Sequence, residues 1–121
     1  MKIPGPDHPI TLTPAGARWQ ATFNDQVIAD SAQAIMLREA SYPPVIYFPK
    51  ADVMMQHLTA TTRSTNCPYK GDASYFSINL TGKTAENAVW AYETPYPAMA
   101  EIAGYVAFYP NIVKVAHANR D

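Results

Sequence analysis

Residues 73–80 read ASYFSINL, and this stretch decides the fold class because its side chains alternate in character. On an extended backbone, one face carries three apolar side chains, those of Phe76, Ile78 and Leu80, and the other carries Tyr75 and two polar side chains. A period of two is typical of a half-buried β-strand and does not fit the 3.6-residue period of a helix. The stretch therefore predicts a strand.

The same alternation recurs outward from this strand. It predicts strands over residues 18–23, 87–92 and 105–109, and residues 26–29 form a return strand after a tight turn at Asn24-Asp25. In the second of these strands it places three side chains on one face, those of Ala88, Trp90 and Tyr92. In the third it places Val106 and Phe108 opposite Tyr105, Ala107 and Tyr109. Strands thus dominate the chain.

Helical signals are few. Residues 51–58 and 97–102 predict two short helices, the second with a proline near its start. Residues 32–39, AQAIMLRE, contain strong helix formers but lie among predicted strands, and tertiary context often overrides propensity. The 11 prolines discourage long helices, and three of them predict an irregular N-terminal arm over residues 1–10. We expect a compact, mainly β domain of antiparallel sheets with one or two short helices.

Length and composition restrict the class of protein. At 121 residues the chain predicts a single domain spanning residues 1–121. A net charge of -1 argues against a nucleic-acid or membrane-surface binder, and no apolar run is long enough to span a bilayer. The lone cysteine excludes an internal disulfide and a multi-cysteine zinc site, and no histidine spacing suggests a metal. We expect a cytoplasmic protein without a metal or cofactor.

The richest stretch for chemistry is residues 65–71, TNCPYKG, which place Cys67, Tyr69 and Lys70 beside a proline and a glycine. A cysteine nucleophile needs a base or a cation that lowers its pKa, and Lys70 is such a cation. A lone cysteine is more often a small buried residue, here at the end of a strand. Lys70 either points to solvent from a turn or holds an anionic group in a pocket.

Aromatic side chains form a second group of candidates. Large rings on strand faces with small neighbours are typical either of core packing or of the wall of a concave site. Alternation gives Tyr75, Trp90, Tyr92 and Tyr105 such neighbours, and the predicted wall of the site consists of these four rings and that of Tyr47. Lys50 and Glu93, next to apolar runs, complete the predicted ligand-binding residues, which also include Cys67, Tyr69 and Lys70.

Four blocks of sequence together resemble the domain of unknown function 427 family. They are YPPVIYFPKADV at residues 42–53, TNCPYKGDASYFS at 65–77, NAVWAYE at 87–93 and IAGYVAFY at 102–109. The resemblance spans about residues 19–109. It implies bent, mostly antiparallel sheets in a tent-like or barrel-like arrangement with a cleft between them. It also implies that residues 32–39 form a strand, and the missing cysteine pairs argue against a structural metal.

Three functions fit these observations. The first is a domain that binds a small anionic or carbonyl-containing ligand in an aromatic-lined cleft. The second is a transferase-like or hydrolase-like enzyme that uses Lys70, Cys67 and a glutamate (Glu39, Glu93 or Glu101) in the same cleft. The third is a homo-oligomeric interaction module, such as a homodimer, with the aromatic patch as its interface.

Overall fold

The computed structural model describes residues 1–118, which form ten β-strands and three short 3-10 helices. The strands are β1 (Ile10–Pro14), β2 (Trp19–Phe23), β3 (Gln26–Ser31), β4 (Ile35–Glu39), β5 (Val45–Tyr47), β6 (Leu58–Cys67), β7 (Gly71–Leu80), β8 (Lys83–Ala91), β9 (Val106–Phe108) and β10 (Lys114–His117). The 3-10 helices are Lys50–Asp52, Met55–His57 and Pro97–Ile102. No helix in this part of the chain is long and apolar enough to cross a membrane.

The strands form three antiparallel sheets. The first has the strand order β1-β4-β5, the second β10-β2-β3 and the third β6-β7-β8-β9. Isolated bridges connect Phe48 to Val106 and Ala29 to Val53, so the loop after β5 contacts the third sheet and then the second. The mainly β, antiparallel fold class expected from the sequence is confirmed.

Two β-bulges interrupt the third sheet opposite the middle of β7. Residues 61–63 of β6 lie opposite Tyr75 alone, and residues 86–88 of β8 lie opposite Ser77 alone. Bulges of this kind bend a strand and increase its twist. Asn87 sits in the second bulge at φ 53, where its side chain accepts a hydrogen bond from Thr61 and its backbone N–H donates to Ser77. Polar contacts between the bulges therefore hold the bend.

The bend divides the core into two clusters. One half of β7 contributes Ile78 and Leu80 to the larger cluster, which packs against the second sheet. The other half contributes Tyr75 to a smaller cluster with Leu37 and Tyr92, between the first and third sheets. The larger cluster is built of aliphatic residues and phenylalanines, whereas the smaller one is rich in tyrosine. The tyrosine-rich smaller cluster borders a cavity with polar groups in its wall.

The tight turn expected at Asn24-Asp25 is present, and Thr81-Gly82 forms a second one. Asn24 and Asp25 have φ values of 52 and 65 between β2 and β3, and Thr81 and Gly82 have 45 and 76 between β7 and β8. Positive φ at both central residues is the geometry of a type I′ hairpin, which matches the twist of the flanking strands. Asn, Asp and Gly tolerate this region best.

Several local predictions need correction. Residues 51–58 do not form one helix: two 3-10 helices are separated by Val53 and Met54, and Leu58 already belongs to β6. Ala88 packs in the larger cluster while Trp90 and Tyr92 contact the smaller one, because the bulge at Asn87 interrupts the alternation. Residues 32–39 contain β4, as the family resemblance implied, and the short helix at Pro97–Ile102 is confirmed.

Candidate functional site

A cavity of about 270 Å³ opens at the smaller cluster, between β4 and β5 on one side and β7 and β8 on the other. We call it the Lys70 cleft. Its walls are formed by Leu37, Glu39, Tyr42, Pro43, Val45, Tyr47, Lys70, Tyr75, Trp90, Tyr92 and Tyr109.

Strand alternation aims the wall residues inward. Leu37 and Glu39 lie two apart on β4 and therefore share a face, and Tyr47 projects from the neighbouring strand β5. Tyr75 and Trp90 are direct cross-strand partners on β7 and β8. Because these strands belong to two facing sheets, their side chains converge on one hollow.

A tight connection between β6 and β7 buries Lys70. Gly71 follows it at φ 109, a conformation that L side chains rarely adopt, and the backbone of Pro95 and Tyr96 lies within 4 Å of the position a Cβ would take. The backbone N–H of Tyr96 donates to the carbonyl of Lys70 at 3.0 Å. The glycine therefore lets the chain turn while its neighbour stays buried, with only 8% of the residue exposed.

Glu39 connects Lys70 to the N-terminal arm. The Lys70 Nζ donates to Oε1 of Glu39 at 2.5 Å, and Nε2 of His8 donates to Oε2 at 2.7 Å, since a carboxylate only accepts. The His8 ring stacks on Tyr69 at 4.1 Å with an interplanar angle of 8°. The ammonium of Lys70 also lies 5.9 Å from the centre of the Tyr92 ring, within range of a cation–π contact.

Opposing effects determine the charge of Glu39. Burial acts to raise the pKa of this carboxyl group, but the hydrogen bonds from Lys70 and His8 and their positive charges outweigh burial. The pKa of Glu39 is therefore lowered from its ordinary value. At neutral pH the carboxylate is ionised and holds the lysine ammonium at the cavity wall.

Three phenols of the cleft, those of Tyr47, Tyr92 and Tyr109, are neutral donors and acceptors at physiological pH. Burial raises the pKa of Tyr47 and of Tyr92 well above the ordinary value, and burial together with Tyr75 raises the pKa of Tyr109 to about 12. The Trp90 Nε1–H donates to the Tyr47 hydroxyl at 3.2 Å, which fixes both rings. The cleft thus combines rigid aromatic walls with one ammonium group.

Tyr75 differs from the other phenols. Burial acts to raise its pKa, but hydrogen bonds with Thr65 and Tyr109 and the nearby Arg63 lower it overall. The Thr65 and Tyr75 hydroxyls are 2.9 Å apart, and the Arg63 guanidinium lies 4.9 Å from the centre of the Tyr75 ring. The bulge in β6 brings Arg63 to this position.

Five of the predicted site residues line the cleft together: Tyr47, Lys70, Tyr75, Trp90 and Tyr92. The other five lie elsewhere. Cys67 is the last residue of β6 and packs half-buried against the smaller cluster. The Tyr69 ring stacks on the ring of His8. Lys50 and Glu93 pair with each other at 2.7 Å away from the cavity, and Tyr105 lines a separate cavity that also contains Glu101.

The predicted ligand-binding set omits four polar or aromatic residues at or beside the cleft, namely His8, Glu39, Tyr42 and Tyr109, although the enzyme hypothesis named Glu39 among its candidate glutamates. Strand alternation contains a signal for two of them, because Glu39 follows Leu37 by two positions and Tyr109 shares its face with Ala107. Tyr42 is 64% exposed at the mouth of the cleft. No local pattern marks His8, which is 31 residues from its partner.

Comparisons with known proteins point to one family. The family model described as a domain of unknown function (DUF427) matches residues 11–119, nearly the whole chain. A search of curated proteins found no match. The matched region includes all four sequence blocks and every residue that lines the Lys70 cleft. The chain therefore belongs to the domain of unknown function (DUF427) family.

Proposed function

We propose that the Lys70 cleft binds a small organic ligand through a carboxylate or carbonyl oxygen that accepts a hydrogen bond from Lys70. The observation that carries this proposal is the position of the ammonium group. It lies in the wall of a 270 Å³ cavity, and within residues 1–118 Glu39 is its one hydrogen-bond partner. An ammonium has three N–H donors, so two are left for a ligand.

The surrounding rings support the same function. Tyr75, Trp90 and Tyr92 exclude water from the ligand's flanks, and a charge-assisted hydrogen bond is stronger where water is excluded. The Glu39 carboxylate balances the lysine charge, so the empty cleft does not carry an unpaired buried cation. A ligand oxygen then accepts a hydrogen bond from one of the two remaining Lys70 N–H groups without displacing Glu39.

The test compares two lysines that each pair with a glutamate. We expect small carboxylates and their amides to bind the wild type and to raise its melting temperature. Lys70→Met should weaken binding about 10- to 150-fold, because it removes a hydrogen bond from a charged donor. Lys50→Met, which alters a pair outside the cleft, should bind as the wild type does. Equal binding by Lys70→Met in calorimetric titration would contradict the proposal.

One observation favours an enzyme as the second candidate. Glu39 bridges Lys70 and His8, and such a chain connects a group in the cavity to the N-terminal arm for proton transfer. Cys67 does not line the cavity, so the chemistry would rest on Lys70 and Glu39. Rapid and selective alkylation of Cys67 would instead support the thiol as nucleophile. The interaction-module alternative lacks such support, because Tyr47 and Tyr92 are already buried within one chain.

The state of the single cysteine bears on the cell compartment in which the protein acts. The free thiol of Cys67 is half-buried and forms no disulfide. A reduced thiol suits the cytoplasm, where we propose that the protein acts.

A further inference from the structure

A second cavity adjoins the Lys70 cleft. It measures about 170 Å³ and lies on the side of the larger cluster, among Trp19, Met36, Phe108 and Val115. Two residues, Val45 and Trp90, line both cavities. The Trp90 indole is therefore a wall common to both cavities.

Within residues 1–118, the second cavity has no polar side chain free to bind a ligand. None of the described side chains that line it is charged. Its two indole N–H groups are occupied, since Trp19 donates to the carbonyl of Gly16 at 3.1 Å and Trp90 donates to the hydroxyl of Tyr47 at 3.2 Å. A water molecule needs two to four polar partners to be stable in a buried site. The cavity is therefore suited to an apolar group.

The volume of the second cavity limits the size of the apolar group that it can hold. A cavity of roughly 150 Å³ lined by apolar side chains is large enough to hold benzene. At about 170 Å³, the second cavity fits a phenyl ring or a short alkyl chain.

From these observations we infer that the ligand is amphipathic: its carboxylate or carbonyl end binds Lys70, and its apolar body extends past Trp90 into the second cavity. This inference rests on the proposed function, because it assumes that the polar end lies in the Lys70 cleft. It narrows the ligand class to medium-chain or aryl-substituted carboxylic acids and their amides. Small hydrophilic anions lack the group that the second cavity requires.

The experiment measures how affinity depends on chain length, with acetate, butyrate, hexanoate and octanoate as probes. Once the chain passes Trp90, each added CH₂ group should increase affinity about fourfold, as expected for burial of a methylene group. Val115→Phe, which fills the second cavity, should remove this dependence. Val27→Phe makes the same change at an exposed position of the same sheet. Its affinities should therefore depend on chain length as those of the wild type do.

The outcomes distinguish the two proposals. Affinities that are independent of chain length but lost in Lys70→Met would overturn the second cavity's role and leave the proposed function standing. Affinities that rise with chain length and do not change in Lys70→Met would overturn both, because the polar end would then lie elsewhere. An absence of binding by every probe would also overturn both.

A second measurement needs no variant. Met36 lines the second cavity, whereas Met54 is exposed on the surface. With ¹³C-methyl-labelled methionine, octanoate should shift the Met36 resonance and leave that of Met54 in place, and acetate should shift neither. A Met36 resonance that octanoate does not move would contradict the inference even if Val115→Phe does not fold.

Discussion

The protein contains two lysine–glutamate pairs of nearly equal length in different surroundings. Lys70 and Glu39 are 2.5 Å apart with side chains 10% and 15% exposed, whereas Lys50 and Glu93 are 2.7 Å apart with side chains 38% and 40% exposed. The first pair lines a cavity and the second faces solvent. Residue type and distance therefore do not separate a site from a surface contact. Burial does.

Backbone geometry explains the difference in burial. Lys70 precedes a glycine in a connection packed against residues 94–96, and its partner comes from a strand of another sheet. Lys50 begins a short 3-10 helix at the surface. Charges in a low-dielectric environment interact more strongly and also cost more to leave unpaired. The two pairs should therefore respond differently to the same substitution.

Lys70→Met should have the largest effect. It leaves the Glu39 carboxylate buried with His8 as its remaining partner, and removing one member of a buried pair costs about 3–5 kcal/mol of unfolding free energy. Urea denaturation at neutral pH measures this loss. In the double variant Glu39→Gln/Lys70→Met the cost should fall below the sum of the single changes, since both charges are gone. A loss no larger than that of Lys50→Met would show that burial does not distinguish the pairs.

Tyr47→Phe tests a neutral contact in the same cleft. The Tyr47 hydroxyl accepts the Trp90 indole N–H and is almost wholly buried, so its removal should cost about 1–2 kcal/mol of unfolding free energy. The Trp90 fluorescence maximum should also shift. Tyr105→Phe is the matched control, because within residues 1–118 its hydroxyl makes no hydrogen bond, and it should change stability less. Equal effects would show that the Trp90–Tyr47 hydrogen bond contributes no more to stability than a hydroxyl without a partner.

Acid titration tests the carboxylate of the buried pair. The folded-state pKa of Glu39 lies below its ordinary value of 4.5, so its stabilising contribution is present above that value and is lost as pH falls through the folded pKa. Burial and hydrogen bonding act in opposite directions on this group, so we expect a smaller effect than that of Tyr47→Phe.

The measurement is the unfolding free energy of the wild type and of Glu39→Gln from about pH 7 to about pH 3. The wild type should lose its advantage over Glu39→Gln across the acid part of this range. Glu93→Gln is the control, because it leaves the Lys70 cleft intact. Its unfolding free energy should therefore still fall at acid pH as Glu39 becomes protonated. Parallel curves of unfolding free energy against pH for the wild type and Glu39→Gln would contradict a lowered folded-state pKa of Glu39.

Lys50→Met should have the smallest effect. Exposed ion pairs contribute little, so the unfolding free energy should change by no more than about 0.5 kcal/mol. Added salt should reduce even this difference, because surface charges are screened. Urea denaturation at low and high ionic strength checks both points. A loss comparable to that of Lys70→Met would abolish the contrast between the pairs.

Much of the fold could be predicted from local pattern, and the exceptions share a cause. The alternating strands and the tight turn at Asn24-Asp25 were predicted because apolar periodicity and turn residues are local signals. Strand β6, LTATTRSTNC, was missed because it is an edge strand with few apolar side chains, so no alternation marks it. Strands β1 and β10 were also not predicted. Each is short and pairs with a strand distant in the sequence, β4 and β2 respectively, so no local signal marks them.

The candidate site was likewise predicted only where a local sequence pattern marks its residues. Alternation predicted that aromatic rings and Lys70 face a common hollow, and five predicted residues do line one cavity. It did not predict that Lys50 and Glu93 pair outside the cavity, or that Glu39 and His8 are the groups connected to Lys70. Choosing a partner for a charge requires knowing which strands are neighbours.

The sequence by itself determined the fold class, a hairpin turn, the family and the kinds of side chain available to a site, because these follow from local patterns and short blocks of consecutive residues. Only the tertiary structure decided which lysine is buried, which glutamate it contacts and which rings surround it. Those properties depend on two bulges that bend the third sheet and on the packing of residues about 30 positions apart, and burial is a property of the assembled sheets.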